Sequence, residues 1–170
     1  MPAPLHGTET SGPPRPAPPS AATMAAAGVR GRPPLPPSTL TRRRLGAQRT
    51  RDTAPELALR RELHHRGRRF YVDRALLPGL RRRADLVFPR YKVAVYVDGC
   101  FWHCCPLHAT HPKNNAAWWA AKLAANVDRY RDTDARLGAA GWVIVLVWEH
   151  QKPADAADLV EHALITSSWR

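Results

Sequence analysis

The sequence has 170 residues and a formal net charge of +12, from 26 Lys and Arg against 14 Asp and Glu. This length is enough for one domain with a single hydrophobic core, and the excess of positive charge favours a polyanionic partner such as nucleic acid. No apolar run is long enough to span a bilayer, and three cysteines confined to residues 100–105 exclude a disulfide framework, so we expect a reduced, cytoplasmic protein.

The first 41 residues are rich in Pro, Ala, Ser and Gly, as in "SGPPRPAPPSAA". Such a composition cannot bury enough apolar surface to offset the entropy of ordering, so residues 1–41 are predicted to be a disordered tail. A basic stretch, "TRRRLGAQRTR", follows at 41–51. It is either a solvated linker or an arm that clamps DNA, and in the second interpretation the phosphate-binding residues are Arg42, Arg43, Arg44 and Arg49.

Order is predicted to begin at "RDTAPELALRRELHHRG". Thr53 and Glu56 have the spacing of a capping box, Pro55 suits the first helical turn, and Gly67 suits the end of the helix. This pattern alone gives Glu56 a structural role as a cap.

Four apolar runs predict strands, at 68–73, 83–89, 91–99 and 142–149. The run at 91–99 is almost wholly apolar, as expected of a central strand buried on both faces, and a tight Pro-Arg turn should place it antiparallel to 83–89. Periodic apolar positions predict further helices at 115–140 and 154–164, and a turn is expected at 76–80. The fold class is therefore α/β, with a mixed sheet flanked by helices.

All three cysteines and several histidines are concentrated in "DGCFWHCCPLHATH", residues 98–111. Cys100, Cys105 and His108 have the spacing C-x4-C-x2-H, and thiolate with imidazole suits a four-coordinate structural Zn²⁺. The best candidate for the fourth ligand is His150, because its strand could lie beside the strand that ends before Cys100. Cys104 and His111 are alternative ligands, and a set of buried thiols without a metal is the simplest competing interpretation.

His103 lies between these ligands but out of step with them. An imidazole titrates near neutral pH, so a histidine held rigid beside a metal site could be a general acid or base. The alternative is a residue that only supports the zinc ligands.

Asp85 begins an apolar strand, and the strand beside it ends at Val97 and Asp98. A carboxylate next to a backbone oxygen and a second carboxylate offers the hard oxygen ligands that Mg²⁺ prefers. The competing interpretation is a solvated aspartate at a strand end.

Five segments of the chain together resemble one known family, the very-short-patch mismatch repair endonucleases (Vsr). They are, in order, "RDTAPE", "RRADLVFP", "VDGCFWHCCPLH", "NAAWWAAKLAANVDRYRDTDARLGAAGW" and "VWEH", so the similarity covers residues 42–165, the whole predicted domain. The resemblance implies a restriction-endonuclease-like fold and a monomeric enzyme that nicks duplex DNA on the 5′ side of the thymine in a T:G mismatch, with mismatch-repair proteins as candidate partners.

The resemblance also implies roles for individual residues. Asp85 would bind a catalytic Mg²⁺ together with the backbone of Val97, Glu56 would support metal-bound water, and His103 would be the catalytic histidine. The implied zinc ligands are the same four residues, and the implied DNA wedge, which enters the base stack beside the mismatch, is Phe101, Trp102 and Trp119.

Position 130 departs from the family pattern. Tyr130 stands where the family usually has a carboxylate that supports the catalytic histidine, and Asp128 and Asp132 are the nearby acidic residues that could compensate. A second function from a different class therefore stays open, namely a zinc-stabilised module that binds distorted or mismatched DNA without cleaving it.

Overall fold

A computed structural model describes residues 38–39, 43, 47 and 49–167. The predicted tail, apart from Ser38 and Thr39, lies outside the described residues. Residues 49–167 contain three α-helices and four β-strands. In chain order they are α1 (Ala54–His65), β1 (Tyr71–Ala75), β2 (Arg83–Phe88), β3 (Val93–Asp98), α2 (Ala116–Ala139), β4 (Val143–Trp148) and α3 (Pro153–Ser167). Within this described part of the chain, the helices are all too short or too polar to cross a membrane.

The start of α1 differs in detail from a capping box. The hydroxyl of Thr53 donates to Glu56 Oε1 at 2.9 Å instead of accepting from the backbone, and it is the Asp52 N–H that donates to Glu56 Oε2, at 3.0 Å. The predicted reciprocal cap is therefore wrong, because the Thr53 hydroxyl is used by the carboxylate. The predicted end of the helix is confirmed, since Gly67 has a φ of +75° and the Arg68 N–H bonds to the carbonyl of Leu63.

The four strands form one mixed sheet in the order β1-β2-β3-β4. Strand β2 is antiparallel to β1 and to β3, whereas β3 and β4 are parallel, with Val93 opposite Val143 and Asp98 opposite Trp148. The crossover between the two parallel strands contains α2, as a parallel pair requires. The predicted antiparallel pairing of β2 with β3 is confirmed, and so is the adjacency of the strands that precede Cys100 and His150.

Helices cover both faces of the sheet, as predicted for an α/β fold. On one face, Leu86, Val95 and Val147 pack against α1 and α3. On the other face, Tyr96 and Leu146 belong to a buried cluster with Leu137 of α2, with both zinc-candidate cysteines in the same cluster. The end of the sheet that carries the cysteines is thus continuous with the core.

Strand β1 begins at Tyr71, later than the predicted start at residue 68. Arg68 closes the end of α1 through its backbone, and its side chain bonds to Glu161 of α3 at 2.7 Å. Residues 68–70 therefore link the helix to the sheet and do not extend the edge strand.

Candidate active site

Strands β2 and β3 separate before they reach the end of β3, and this separation opens the candidate site. Their ladder consists of three pairs, from Phe88–Val93 to Leu86–Val95. Beyond it, Asp85 replaces a backbone partner, because its Oδ2 accepts a hydrogen bond from the Val97 N–H at 2.7 Å. The carboxylate thereby contacts the backbone N–H of Val97, the residue whose carbonyl is predicted to share a metal with it.

A cleft of ≈ 920 Å³ opens at this point between the sheet end, the start of α1 and the middle of α2. It brings together the three predicted catalytic side chains, Glu56, Asp85 and His103, together with Val97. Basic residues line it too, namely Arg49, Arg81, Arg82, Arg83, Lys122 and Arg129. Acidic and basic groups in one cleft suit a negatively charged substrate that is bound through a cation.

The surroundings of Asp85 disfavour the charged form of its carboxyl. Burial raises the pKa of this carboxyl to about 7, and the negative charges of Glu56 and Asp98 raise it further, while the Val97 N–H and Arg82 act in the opposite direction. A carboxylate that is held among other acids and screened from water is stabilised in its charged form by a bound divalent ion. The Asp85 carboxylate is therefore compatible with the predicted Mg²⁺ site, which stays a prediction.

Glu56 is buried, with 5% of its surface exposed, and both of its oxygens accept hydrogen bonds. Besides Thr53 and Asp52, Arg60 donates to Oε2 at 2.9 Å. The carboxylate is thus held in one orientation at the edge of the cleft, with its charge near Asp85.

His103 contacts Asp98 and Tyr130, and Arg82 joins these two side chains into a cage that the sequence did not reveal. Its Nδ1 is 2.7 Å from Asp98 Oδ2, and its ring is stacked on Tyr130 with centroids 4.1 Å apart. Arg82 donates to the other oxygen of Asp98 at 3.2 Å. Asp128 and Asp132, the acidic residues expected to compensate for Tyr130, are both exposed, so the carboxylate beside His103 comes from β3 instead.

The four predicted zinc ligands converge at the same end of the sheet. The ligand atoms of Cys100, Cys105, His108 and His150 all lie within 4.8 Å of one another. The closest S···N distances are 3.1 Å for Cys100–His150, 3.8 Å for Cys105–His150 and 3.9 Å for Cys105–His108. Tetrahedral zinc with normal bond lengths places S and N about 3.6 Å apart, so this group fits a structural Zn²⁺.

The surroundings of the Cys100 thiol disfavour its anionic form. Burial, followed by the neighbouring Cys105, raises the pKa of Cys100 to about 12. Burial, followed by the charge of His108, lowers the pKa of His150 and favours the neutral imidazole that ligates metals. Cys104 and His111, the alternative ligands, are not in the group that the described residues form.

The predicted wedge residues form one aromatic cluster beside the cleft. Phe101, Trp102 and Trp119 contact one another edge-on or tilted, with centroids 5.0–5.8 Å apart. All three rings are partly exposed. Asn126, which is buried, donates a long hydrogen bond of 3.4 Å to the Trp102 carbonyl and so attaches the loop to α2.

Of the four predicted phosphate-binding arginines, Arg49 lines the cleft and Arg43 is exposed. Arg42 and Arg44 lie outside the described residues. The cleft contains further cations that sequence reasoning did not select, because Arg81, Arg82 and Arg129 belong to ordinary charged runs and only the fold turns them toward the site.

Comparisons with known proteins agree with this geometry. Residues 39–108 match the family model described as DNA mismatch endonuclease Vsr. The chain is 40% identical over 157 residues to the type II nicking enzyme V.NaeI of Lentzea aerocolonigenes, an alignment that covers 87% of this chain and 95% of that relative.

Shorter alignments connect the chain to other relatives. It is 40% identical over 103 residues to the type II nicking enzyme V.XorIIP of Xanthomonas oryzae pv. oryzae, covering 59% of this chain and 73% of the relative. It is 39% identical over 102 residues to the DNA mismatch endonuclease Vsr of Escherichia coli, covering 59% of this chain and 63% of the relative.

Proposed function

Because this chain belongs to the Vsr family of DNA mismatch endonucleases and is thus a DNA-cleaving hydrolase, we propose that it nicks one strand of duplex DNA on the 5′ side of the thymine in a T:G mismatch. The reaction would be Mg²⁺-dependent, on a restriction-endonuclease-like fold held at one end by Zn²⁺. The substrate would be a T:G pair that is left when 5-methylcytosine deaminates.

One observation carries the proposal. A single cleft contains Glu56, Asp85 and His103, and the loop that supplies His103 also supplies the partly exposed rings of Phe101 and Trp102. Chemistry on the phosphodiester and recognition of a weakened base step are therefore possible at one site.

Binding would begin with phosphate contacts. The formal net charge of +12 favours approach to DNA at low salt, and Arg49 with the other cleft cations would hold the backbone in register. The aromatic cluster of Phe101, Trp102 and Trp119 would then enter the stack, which costs a few kcal/mol and costs least at a mispair.

The Asp85 carboxylate and the Val97 backbone carbonyl would hold the Mg²⁺. When bound, that ion polarises the scissile phosphate and neutralises charge that develops on its oxygens. Asp85 would turn from the Val97 N–H toward the ion, and Glu56, already fixed by Arg60 and Thr53, would orient a water molecule beside it.

His103 would transfer a proton during hydrolysis, as a general acid or base. Asp98 and Tyr130 hold its ring in one orientation at the cleft wall for this role. The zinc group would fix the loop between Cys100 and Cys105. The positions of the aromatic rings and of the imidazole would then vary little, as catalysis requires.

A nicking assay tests the proposal. Zinc-loaded protein is incubated with end-labelled duplexes that differ only in one T:G, T:A or C:G pair, with Mg²⁺ added or withheld from metal-free buffer. Magnesium should be withheld and not chelated by EDTA, since EDTA would also remove zinc. We expect a single-strand nick 5′ of the mispaired thymine only with T:G and Mg²⁺. Tight binding of the T:G duplex without any nick would support the non-cleaving DNA-binding module instead.

A further inference from the structure

We infer that Asp98 is the positioning residue of His103, so that this chain supplies the carboxylate for its catalytic histidine from strand β3 and not from helix α2. The inference rests on the proposed role of His103. No sequence pattern indicated that Asp98 contacts His103.

The contact between Asp98 and His103 is built into the backbone. Asp98 is the last residue of β3, opposite Trp148 in the parallel ladder, and 1% of its surface is exposed. The chain then turns at once, with the His103 N–H bonded to the Gly99 carbonyl at 3.1 Å. This turn brings the imidazole back over the strand end, where Nδ1 lies 2.7 Å from Asp98 Oδ2.

The second oxygen of Asp98 is also engaged. Arg82 donates to Oδ1 at 3.2 Å, and its guanidinium lies between two aromatic rings, 4.1 Å from the centroid of Tyr96 and 4.0 Å from that of Tyr130. Arginine and histidine thus contact the two oxygens of Asp98 and fix the orientation of its carboxylate.

Tyr130 completes the arrangement from the other side. Its ring is parallel to the imidazole, with an angle of 4° between the planes, and it stacks on Arg82 as well. The imidazole is thus held in its plane by Asp98 and covered on one face by Tyr130. A tyrosine at position 130 is compatible with catalysis because the carboxylate is already present at position 98.

The consequence for the imidazole follows from its two nitrogens. A carboxylate at Nδ1 favours the tautomer with hydrogen on Nδ1, which leaves Nε2 unprotonated in the neutral ring, at the opposite edge. Asp98 would therefore set which nitrogen exchanges a proton during hydrolysis, without contacting DNA itself.

The first test is Asp98→Asn, assayed in single turnover with saturating T:G duplex and Mg²⁺. An amide cannot replace the carboxylate at both partners, so the nicking rate should fall on the order of 100-fold or more, with the Kd for the duplex changed less than about threefold. A nicking rate within about threefold of the unmodified protein would overturn the inference.

Asp98→Asn also breaks the buried ion pair with Arg82. The effect of losing this pair on the structure must therefore be distinguished from an effect on His103. Arg82→Met breaks the same pair from the other side and leaves the His103 contact in place.

Imidazole ¹⁵N spectra of zinc-loaded protein at about pH 8.5, where an ordinary imidazole is neutral, report the tautomer. The His103 signal is assigned by its loss in His103→Gln. The Nδ1–H signature should persist in Arg82→Met and be lost or mixed in Asp98→Asn; an unchanged signature in Asp98→Asn would contradict the inference.

A double variant distinguishes this inference from the proposed function. If Asp98 acts through His103, Asp98→Asn should cause no further loss, within about threefold, in a His103→Ala background. Full nicking by His103→Ala alone would remove the proposed role of the histidine. Loss of nicking in His103→Ala with retention in Asp98→Asn would instead leave the proposed function intact and refute the positioning role.

Discussion

The thiol of Cys100 and the imidazole of His150 lie 3.1 Å apart, Sγ to Nδ1, although 50 positions separate the two residues in the chain. Each follows by two positions a residue of the last β3–β4 pair, Asp98–Trp148. The parallel register therefore assembles half of the candidate zinc group, and the loop through Cys105 and His108 supplies the rest.

Cys100→Ser should destabilise the domain and abolish zinc binding. Structural zinc contributes directly to folding, so we expect the melting temperature to fall by more than about 10 °C. Thermal melts and the zinc content of purified protein measure this. Cys104→Ser is the matched control, because Cys104 is an adjacent thiol outside the metal group, and it should retain both properties. Equal melting temperatures for the two variants would count against a zinc role for Cys100.

Asp85→Asn should abolish nicking while DNA binding persists. The amide keeps the size of the side chain but offers a much weaker site for Mg²⁺, so we expect the single-turnover rate to fall on the order of 1,000-fold or more. The Kd for the T:G duplex should stay within about threefold. Asp132→Asn, which changes an exposed acid on α2, serves as the control. Nicking at the normal rate by Asp85→Asn would refute the metal assignment.

Trp102→Ala should weaken recognition of the mismatch. Its ring contacts both Phe101 and Trp119, so its removal takes away part of the wedge and loosens the remainder. Affinity for the T:G duplex should fall about tenfold or more, while affinity for the T:A duplex changes little, as measured by fluorescence anisotropy. Tyr71→Ala removes an exposed ring on β1 and should leave both affinities unchanged. Equal reductions in affinity for the two duplexes would argue against a wedge.

Arg49→Ala should reduce the salt dependence of DNA binding. Removal of one phosphate-binding side chain lowers the slope of log K against log salt by about 1. Arg136→Ala provides the comparison, because Arg136 is an exposed arginine of α2 that does not line the cleft. If the two variants had the same slope as the unmodified protein, Arg49 would not bind a phosphate.

Glu161→Gln should change how the thermal stability of the domain depends on pH. Hydrogen bonds from Arg68, and then Arg66, lower the pKa of Glu161 and join α3 to the end of α1. A lowered pKa in the folded state stabilises the protein above the unfolded value of about 4.5, and this contribution is lost as pH falls through the folded pKa. The variant should melt lower than the unmodified protein at pH ~7, with the difference shrinking toward pH ~3. A constant difference would contradict the linkage.

Much of this fold could be predicted from the sequence because its signals are local. The apolar runs of β3 and β4, the periodic α2 and the glycine after α1 each specify their own element. The convergence of the Cys and His side chains could also be predicted, since the adjacency of two strands was enough to bring His150 to Cys100. The capping box was predicted wrongly because two arrangements of Thr53 and Glu56 share one sequence pattern, and only side-chain geometry separates them.

The cage around His103 could not be predicted. Asp98 looks like any polar residue at a strand end, and its contact depends on the tight turn that follows it. Arg82 and Tyr130 come from different parts of the chain, and their stacking depends on where α2 crosses the sheet. When position 130 is considered alone, its tyrosine therefore suggests that catalytic activity has been lost.

Both proposed metal sites use the end of strand β3 and the loop after it. Val97 belongs to one site and Cys100 to the other, with Asp98 between them. Under the proposed function, loss of the metal from the Cys100 group would therefore disturb the loop that carries the wedge and His103, and DNA cleavage would depend on a site that does not itself contact the scissile phosphate.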